Sequence, residues 1–316
     1  MAGKRTTKKV QLRVHRVLDV PLREVSGICL RRGRNKQASL IAVGDRVAKV
    51  AWLFLPPSDS GPLDWSTTSV SNVSGSKLPK NHAQIEAVCA DGAGRVLFLQ
   101  EAPPRAELVD FEASRVVASI NLLVPGSSQL ARSWSNPKGS RGEGAVLLHG
   151  GHLLVAKEKD PAALIEFGPA RAHSRGLIQG GTLAGGARWP IGEGEHSFVA
   201  LATWWPDKAL EKSCADFSDL EIGPDGRLYL LSDKSAAIAR LDELTPGGGT
   251  ATLTASWQLD DLGGKPEGLA FAADGRAVVA LDTRKRRNNL VLLEPPIATS
   301  PLRKKSNKAT RGPAIH

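Results

Sequence analysis

The stretch whose reading decides the fold is "DFSDLEIGPDGRLYLLSDKS", residues 216–235. Two aspartates open it, Pro224-Asp225-Gly226 makes a corner, both arms are apolar, and Asp233 closes it. An Asp-Gly corner between apolar runs signals a β-hairpin, because glycine supplies the positive φ that a tight turn needs. With Asp225-Gly226 at the turn, the register carries outward until Asp219 lies opposite Ser232 and beside Asp233, so the hairpin's open end is acidic. Like charges facing across a strand pair cost about 0.2–1 kcal/mol each unless neutralised. A cation or a basic side chain is therefore expected there.

The arrangement recurs along the chain. "IEAVCADGAGRVLFLQEAP" runs from Glu86 to Glu101, "GEGAVLLHGGHLLVAKEKDP" from Glu143 to Glu158, and "PEGLAFAADGRAVVALDTR" from Glu267 to Asp282. Acid to acid is 15 residues in each, against 14 from Asp219 to Asp233. A first, degenerate copy, "EVSGICLRRGRNKQASLIAVGDR", holds Ser26 where the others hold an acid and ends on Asp45. Another apolar run follows each copy, so the unit has at least three strands. Starts at 26, 86, 143, 219 and 267 are 60, 57, 76 and 48 residues apart. Repeats of short strands at about 40–50 residues mark propeller blades, with insertions lengthening some of them. The expectation is all-β: a single β-propeller of five or six blades over residues 20–295, between basic disordered tails at 1–19 and 296–316. The long interval between the third and fourth copies leaves room for an insertion or a hidden sixth blade.

Charge supports this division. Eleven basic residues fall in residues 1–16 and 303–311 without one acid, which leaves 31 basic and 32 acidic residues of the chain's 42 and 32 for the body. The net +10 therefore belongs to the tails, which imply at most weak contact with nucleic acid or anionic surfaces. No apolar run approaches the roughly 20 residues of a membrane span, and residues 1–20 lack the apolar segment of a signal peptide. A cytoplasmic monomer is expected. Cys29, Cys89 and Cys214 have no metal-type spacing and read as core thiols.

Nucleophile-elbow, HExxH and phosphate-loop signatures are absent from the sequence. His196 in "GEGEHS" lies in the long interval, where a loop could cover a channel, and is carried as a candidate catalytic residue. Arg284 and Lys285 in "TRKRRNN" directly follow Asp282 and are candidates either to neutralise the acids or to receive an anionic ligand.

The succession "EVSGI", "IEAV" with "LFLQE", "GEGAVLL" with "LLVAKEKDP", "DFSDLEIGPDGRLYLLSDKS" and "PEGLAFAADGRAVVALD" resembles the SdiA-regulated proteins and the neighbouring phytase-like esterases across roughly residues 20–295. The resemblance implies a propeller, bound calcium in some relatives, and an ill-defined activity. Ser26 departs from the acidic pattern, as does the lack of an export signal or anchor. First strands of propeller blades line a central channel, so Glu86, Glu143, Asp219 and Glu267 would form a ring. Converging carboxylates repel or take up protons unless a hard cation binds, and calcium accepts six to eight oxygens at about 2.3–2.6 Å. The other reading has these acids salt-bridged to Lys157, Lys159, Lys234 and Lys265. Two functions stay open. One is a metal-dependent hydrolase of a phosphate ester, carboxylic ester or lactone, with Glu158, Asp233 or Asp282 as general base. The other is a non-catalytic propeller that binds a ligand or protein, any metal being structural.

Overall fold

The computed structural model describes residues 10–296 apart from 34–36, 46–48, 56–62, 75–83, 137–139, 179–182, 184–186 and 260–261. Two short strands come first, β1 (Val10–Gln11) and β2 (Val14–Leu18). Four antiparallel strands then form the first unit: β3 (Val25–Arg32), β4 (Ala38–Gly44), β5 (Lys49–Phe54) and β6 (Ser66–Ser69), followed by helix α1 (Val70–Ser74). The second unit is β7 (Ile85–Ala90), β8 (Arg95–Gln100), β9 (Arg105–Asp110) and β10 (Arg115–Leu123), followed by α2 (Gln129–Ser135). The third is β11 (Gly142–Leu148), β12 (His152–Lys157), β13 (Ala163–Pro169) and β14 (Gly194–Pro206), then α3 (Lys208–Ser213). The fourth is β15 (Asp219–Ile222), β16 (Leu228–Ser232), β17 (Ala237–Leu241) and β19 (Leu253–Gln258), with β18 (Gly249–Ala251) leaving to pair β14. The fifth is β20 (Lys265–Phe271), β21 (Ala277–Asp282) and β22 (Leu290–Leu293), and β2 supplies its fourth strand.

A period of two in each second strand joins these units into a ring. In β8, Val96 and Phe98 pack toward the first unit while Leu97 and Leu99 pack toward the third. Leu153 and Val155 of β12 face the second unit, and Leu154 and Ala156 face the fourth. The same split places Leu228 and Leu230 of β16 against the third unit, and Tyr229 and Leu231 against the fifth. In β21, Val279 and Leu281 meet the fourth unit, while Val278 and Ala280 meet the first. Leu40 with Ala42, and Ile41 with Val43, make the matching split in β4 and close the circle. A strand buried on both faces has no polar side to expose, which is why these runs are apolar throughout. The first strands touch in the same cyclic order, β3 to β7, β11, β15, β20 and back to β3. The described residues thus form five propeller units around an axis.

One expectation is corrected. The fold does not begin at residue 20: β2 pairs with β22, β1 pairs with β19, and Leu12 is buried, so the fifth unit is completed and the fourth extended by residues read from their charge as tail. The expectation for residues 1–9 and 297–316 falls outside the described residues. The long interval before the fourth copy contains no further four-stranded unit among the described residues. Its end is β14, whose first half runs parallel to β10 and whose second half runs antiparallel to β13, stitching two units together.

Removing residues 1–9 is therefore expected to leave the melting temperature unchanged, while removal through residue 18 lowers it by several degrees. Exposing Leu12 alone costs roughly 2 kcal/mol, and a strand pair is lost with it. Calorimetry of the two truncations checks this, and equal melting of both would refute it.

Candidate functional site

At the N-terminal ends of the first strands four of the five copies carry the same irregularity. The register slips by one residue between Val25 and Gly27, Ile85 and Ala87, Gly142 and Gly144, and Pro266 and Gly268. The residues left over are Ser26, Glu86, Glu143 and Glu267. A bulge residue is released from ladder pairing and its side chain is re-aimed, here toward the axis. In the fourth unit Ser218 takes that place: its N–H reaches the Leu231 carbonyl while Asp219 already pairs with Leu231. Ser218 to Asp233 is 15 residues, the interval of the other copies.

These residues line a cavity of about 140 Å³. Glu86, Glu143 and Glu267 enter from first strands, and Asp45, Glu158, Asp233 and Asp282 from the ends of second strands or just beyond them. Glu24, Ser26, Ser218 and Lys265 complete the wall. Among the described residues, eight carboxyl groups thus face one ammonium. Lys265 stands 3.9 Å from Asp233, and Lys159 sits just outside the lining, paired with Glu158. Lys157 is fully buried and gives its ammonium to the Lys159 carbonyl. Neutralisation by these lysines is partial.

The electrostatics follow from that imbalance. Burial first, and then the Asp45 and Glu101 charges, push Glu86 well above the usual carboxylate range; its carboxyl also shares a hydrogen bond with Asp45. Glu143 is raised in the same way by burial and by Glu86. Glu267 is pushed up to about 8 by burial and Asp233, against an opposing pull from Lys265. Burial also raises Glu101 and Asp233.

Asp219 does not belong to the ring. It is 3% exposed and is not part of the cavity wall. Its carboxyl accepts from Leu220 N at 2.7 Å and from Leu269 N at 2.6 Å, spanning from β15 to β20. Asp219 occupies the position that Gly27, Ala87, Gly144 and Gly268 hold elsewhere, where first strands come closest. A Cβ at Gly144 would lie 2.7 Å from the Asp219 Cα. His196 is not brought to the cavity either. It lies on β14 with Nε2 3.0 Å from the Gly192 carbonyl and its ring against Phe198. Arg284 and Lys285 are exposed in the loop after Asp282, on the same side of the ring as the cavity but outside its wall.

Glu24 and Ser218 join the wall beyond the residues that the repeats single out, and Ser26 stands in it where other copies hold an acid. Ser26 donates to the Ile85 carbonyl at 2.5 Å, and Ser218 Oγ accepts from Asp233 N at 2.9 Å. Among the described residues, no three His, Cys, Asp or Glu side chains are gathered in an arrangement that could hold a metal ion.

A ring of antiparallel four-stranded units around an acidic mouth, five among the described residues, defines a β-propeller. The chain belongs to the SdiA-regulated family, whose profile matches residues 78–280. It is similar to a protein of unknown function from Bacteroides caccae (18% identity, 77% of this chain and 65% of that one, TM-score 0.38). It is also similar to virginiamycin B lyase from Staphylococcus aureus (10% identity, 91% and 76%, TM-score 0.39) and to a streptogramin B lyase (13% identity, 90% and 97%, TM-score 0.43). No curated protein matches the chain. No helix among the described residues is long and apolar enough to cross a membrane.

Proposed function

We propose that the acidic mouth binds a divalent cation, calcium in the first instance, and that the protein uses it to hydrolyse a phosphate ester, carboxylic ester or lactone. The observation that carries this reading is, among the described residues, the set of eight carboxyl groups around 140 Å³ with a single ammonium in the wall. By donor type the set suits a hard cation, being carboxylate and hydroxyl oxygen without thiolate or imidazole. By spacing it would have to draw inward. When bound, the cation would supply Lewis-acid polarisation of the scissile group and acidification of water. Glu86, Glu143 and Glu267 are the residues to hold it, and Asp282, Asp233 or Glu158 the bases to take a proton from water. Arg284 and Lys285, exposed on the same side, would meet an anionic substrate as it arrives. A monomer acting on a small molecule in the cytoplasm completes the reading.

One observation favours a purely structural cation. Glu158 is paired with Lys159, Asp233 lies near Lys265, and both wall hydroxyls are engaged, which leaves few groups to act as a base. Metal analysis of the purified protein, followed by esterase, lactonase and phosphatase panels with and without chelator, separates the two. Turnover that chelation removes and that Glu143→Gln reduces at least 100-fold supports the hydrolase. Stoichiometric metal without turnover supports the scaffold, and no metal with no turnover overturns both.

A further inference from the structure

The opposite end of the ring carries a second cavity of the opposite character. Its volume is about 900 Å³, large enough for a nucleotide or a sugar phosphate. The wall comes from the C-terminal end of β3 (Arg32, Gly33), the β7–β8 turn (Gly92, Ala93), the facing ends of β9 and β10 (Asp110, Arg115), and the segment entering β14 (Arg188, Glu193). Strand direction places all of these at the end away from the bulges. A first strand of six residues separates the two mouths by about 20 Å.

Among the described residues, four arginines, Arg32, Arg95, Arg115 and Arg188, stand in this wall against Asp110 and Glu193. Arg95, 4% exposed, is the fixed member. Asp91 takes its Nε at 2.7 Å, the Trp189 carbonyl takes Nη2, and Nη1 is buried with no partner among the described residues. Asp91 also accepts from Arg95 N and Trp189 N, so one buried carboxylate locks the β7–β8 turn to the β14 entry. Arg115 pairs with Glu193 at 2.8 Å where both are half-exposed. Asp110 accepts from Ala113 N and serves its own turn. The described residues give neither Arg32 nor Arg188 a hydrogen-bonded acidic partner, although Arg188 is near enough to help hold Glu193 below its usual range, after the larger effect of Arg115. Guanidinium groups brought to one cavity from β3, β8, β10 and the segment entering β14 make an oxyanion receptor, since each presents a planar fork of donors.

We infer that this cavity binds a small molecule carrying a phosphate or a comparable oxyanion, held by Arg32, Arg188 and Arg115, with Glu193 occupying the Arg115 fork until the ligand displaces it. The inference is independent of the acidic mouth and of any hydrolase activity.

Isothermal titration of the full chain at low salt with inorganic pyrophosphate, and separately with citrate, tests it. One-to-one binding is expected. The Arg32→Ala/Arg188→Ala double variant should weaken it at least tenfold, and Glu193→Gln should tighten it several-fold by freeing Arg115. The stronger of the two probes identifies the oxyanion as phosphate-like or carboxylate-like. Both substitutions lie at the surface of the cavity, and unchanged melting verifies folding. Binding with equal affinity in the double variant would place the anion on the basic termini and overturn the inference, as would failure of both probes to bind.

Discussion

In the presence of chelator the protein is expected to melt lower at pH 8 than at pH 5, by roughly 10 °C, and saturating calcium should remove most of that difference. Glu267 holds its proton up to about 8, and Glu86 and Glu143 are raised well above the usual range, burial being the largest cause for all three. The unfolded chain releases the same protons near 4.3. Between those limits the native state binds more protons than the unfolded state, so stability is complete below about 4.3 and is lost as pH rises toward 8. At 1.36 kcal/mol per unit, Glu267 alone makes this on the order of a few kcal/mol. A domain of this size shifts its midpoint by about 2–4 °C per kcal/mol. A cation would replace the protons as neutraliser, adding about 2.7 kcal/mol at 100 times its dissociation constant. Scanning calorimetry at pH 5, 6, 7 and 8 with EDTA or calcium reads both effects, and Glu267→Gln should flatten the slope. A profile that is level, or that rises with pH, would mean that the mouth's charges are already compensated.

The hairpins and the ring were legible because they are local. An Asp-Gly corner and a 15-residue interval lie within one stretch of sequence, and the double-sided burial of strands such as β8 and β12 shows as unbroken apolar runs. The fourth copy was misread because residue type outweighed spacing. Asp219 looked like its acidic counterparts, yet its 14-residue interval already pointed to Ser218 as the wall residue. Strand β2 was misread for another reason. It is an outer strand with one partner, and such a strand tolerates the charge that made "VHRVL" look like tail. Its partner, β22, lies some 270 positions away, and no local pattern announces that pairing. The arginine cavity was hidden in the same way. Its guanidinium groups come from three units and share no motif, so only closure of the ring brings them together.

Asp219 yields the sharpest mutational contrast. Replacement by alanine is expected to lower the melting temperature by roughly 6–12 °C in chelator while leaving the response to calcium intact. The carboxyl is the acceptor for Leu269 N, a buried backbone donor on the neighbouring unit, and for Leu220 N on its own strand. Alanine leaves the Leu269 N–H without that acceptor, at a cost of about 1–3 kcal/mol, and opens a gap where β15 meets β20, for a total of roughly 3 kcal/mol. Asparagine keeps one acceptor oxygen in nearly the same volume, and burial already holds the Asp219 carboxyl well above its usual range. Asp219→Asn should therefore retain most of the stability lost in Asp219→Ala. The ring position belongs to Ser218, so neither variant removes a group from the acidic wall. Glu143→Gln provides the opposite pattern, a folded protein whose melting no longer responds to calcium. If Asp219→Ala melted like the parent in chelator and lost the calcium response, Asp219 would be a ligand of the mouth and the tie between units would lie elsewhere.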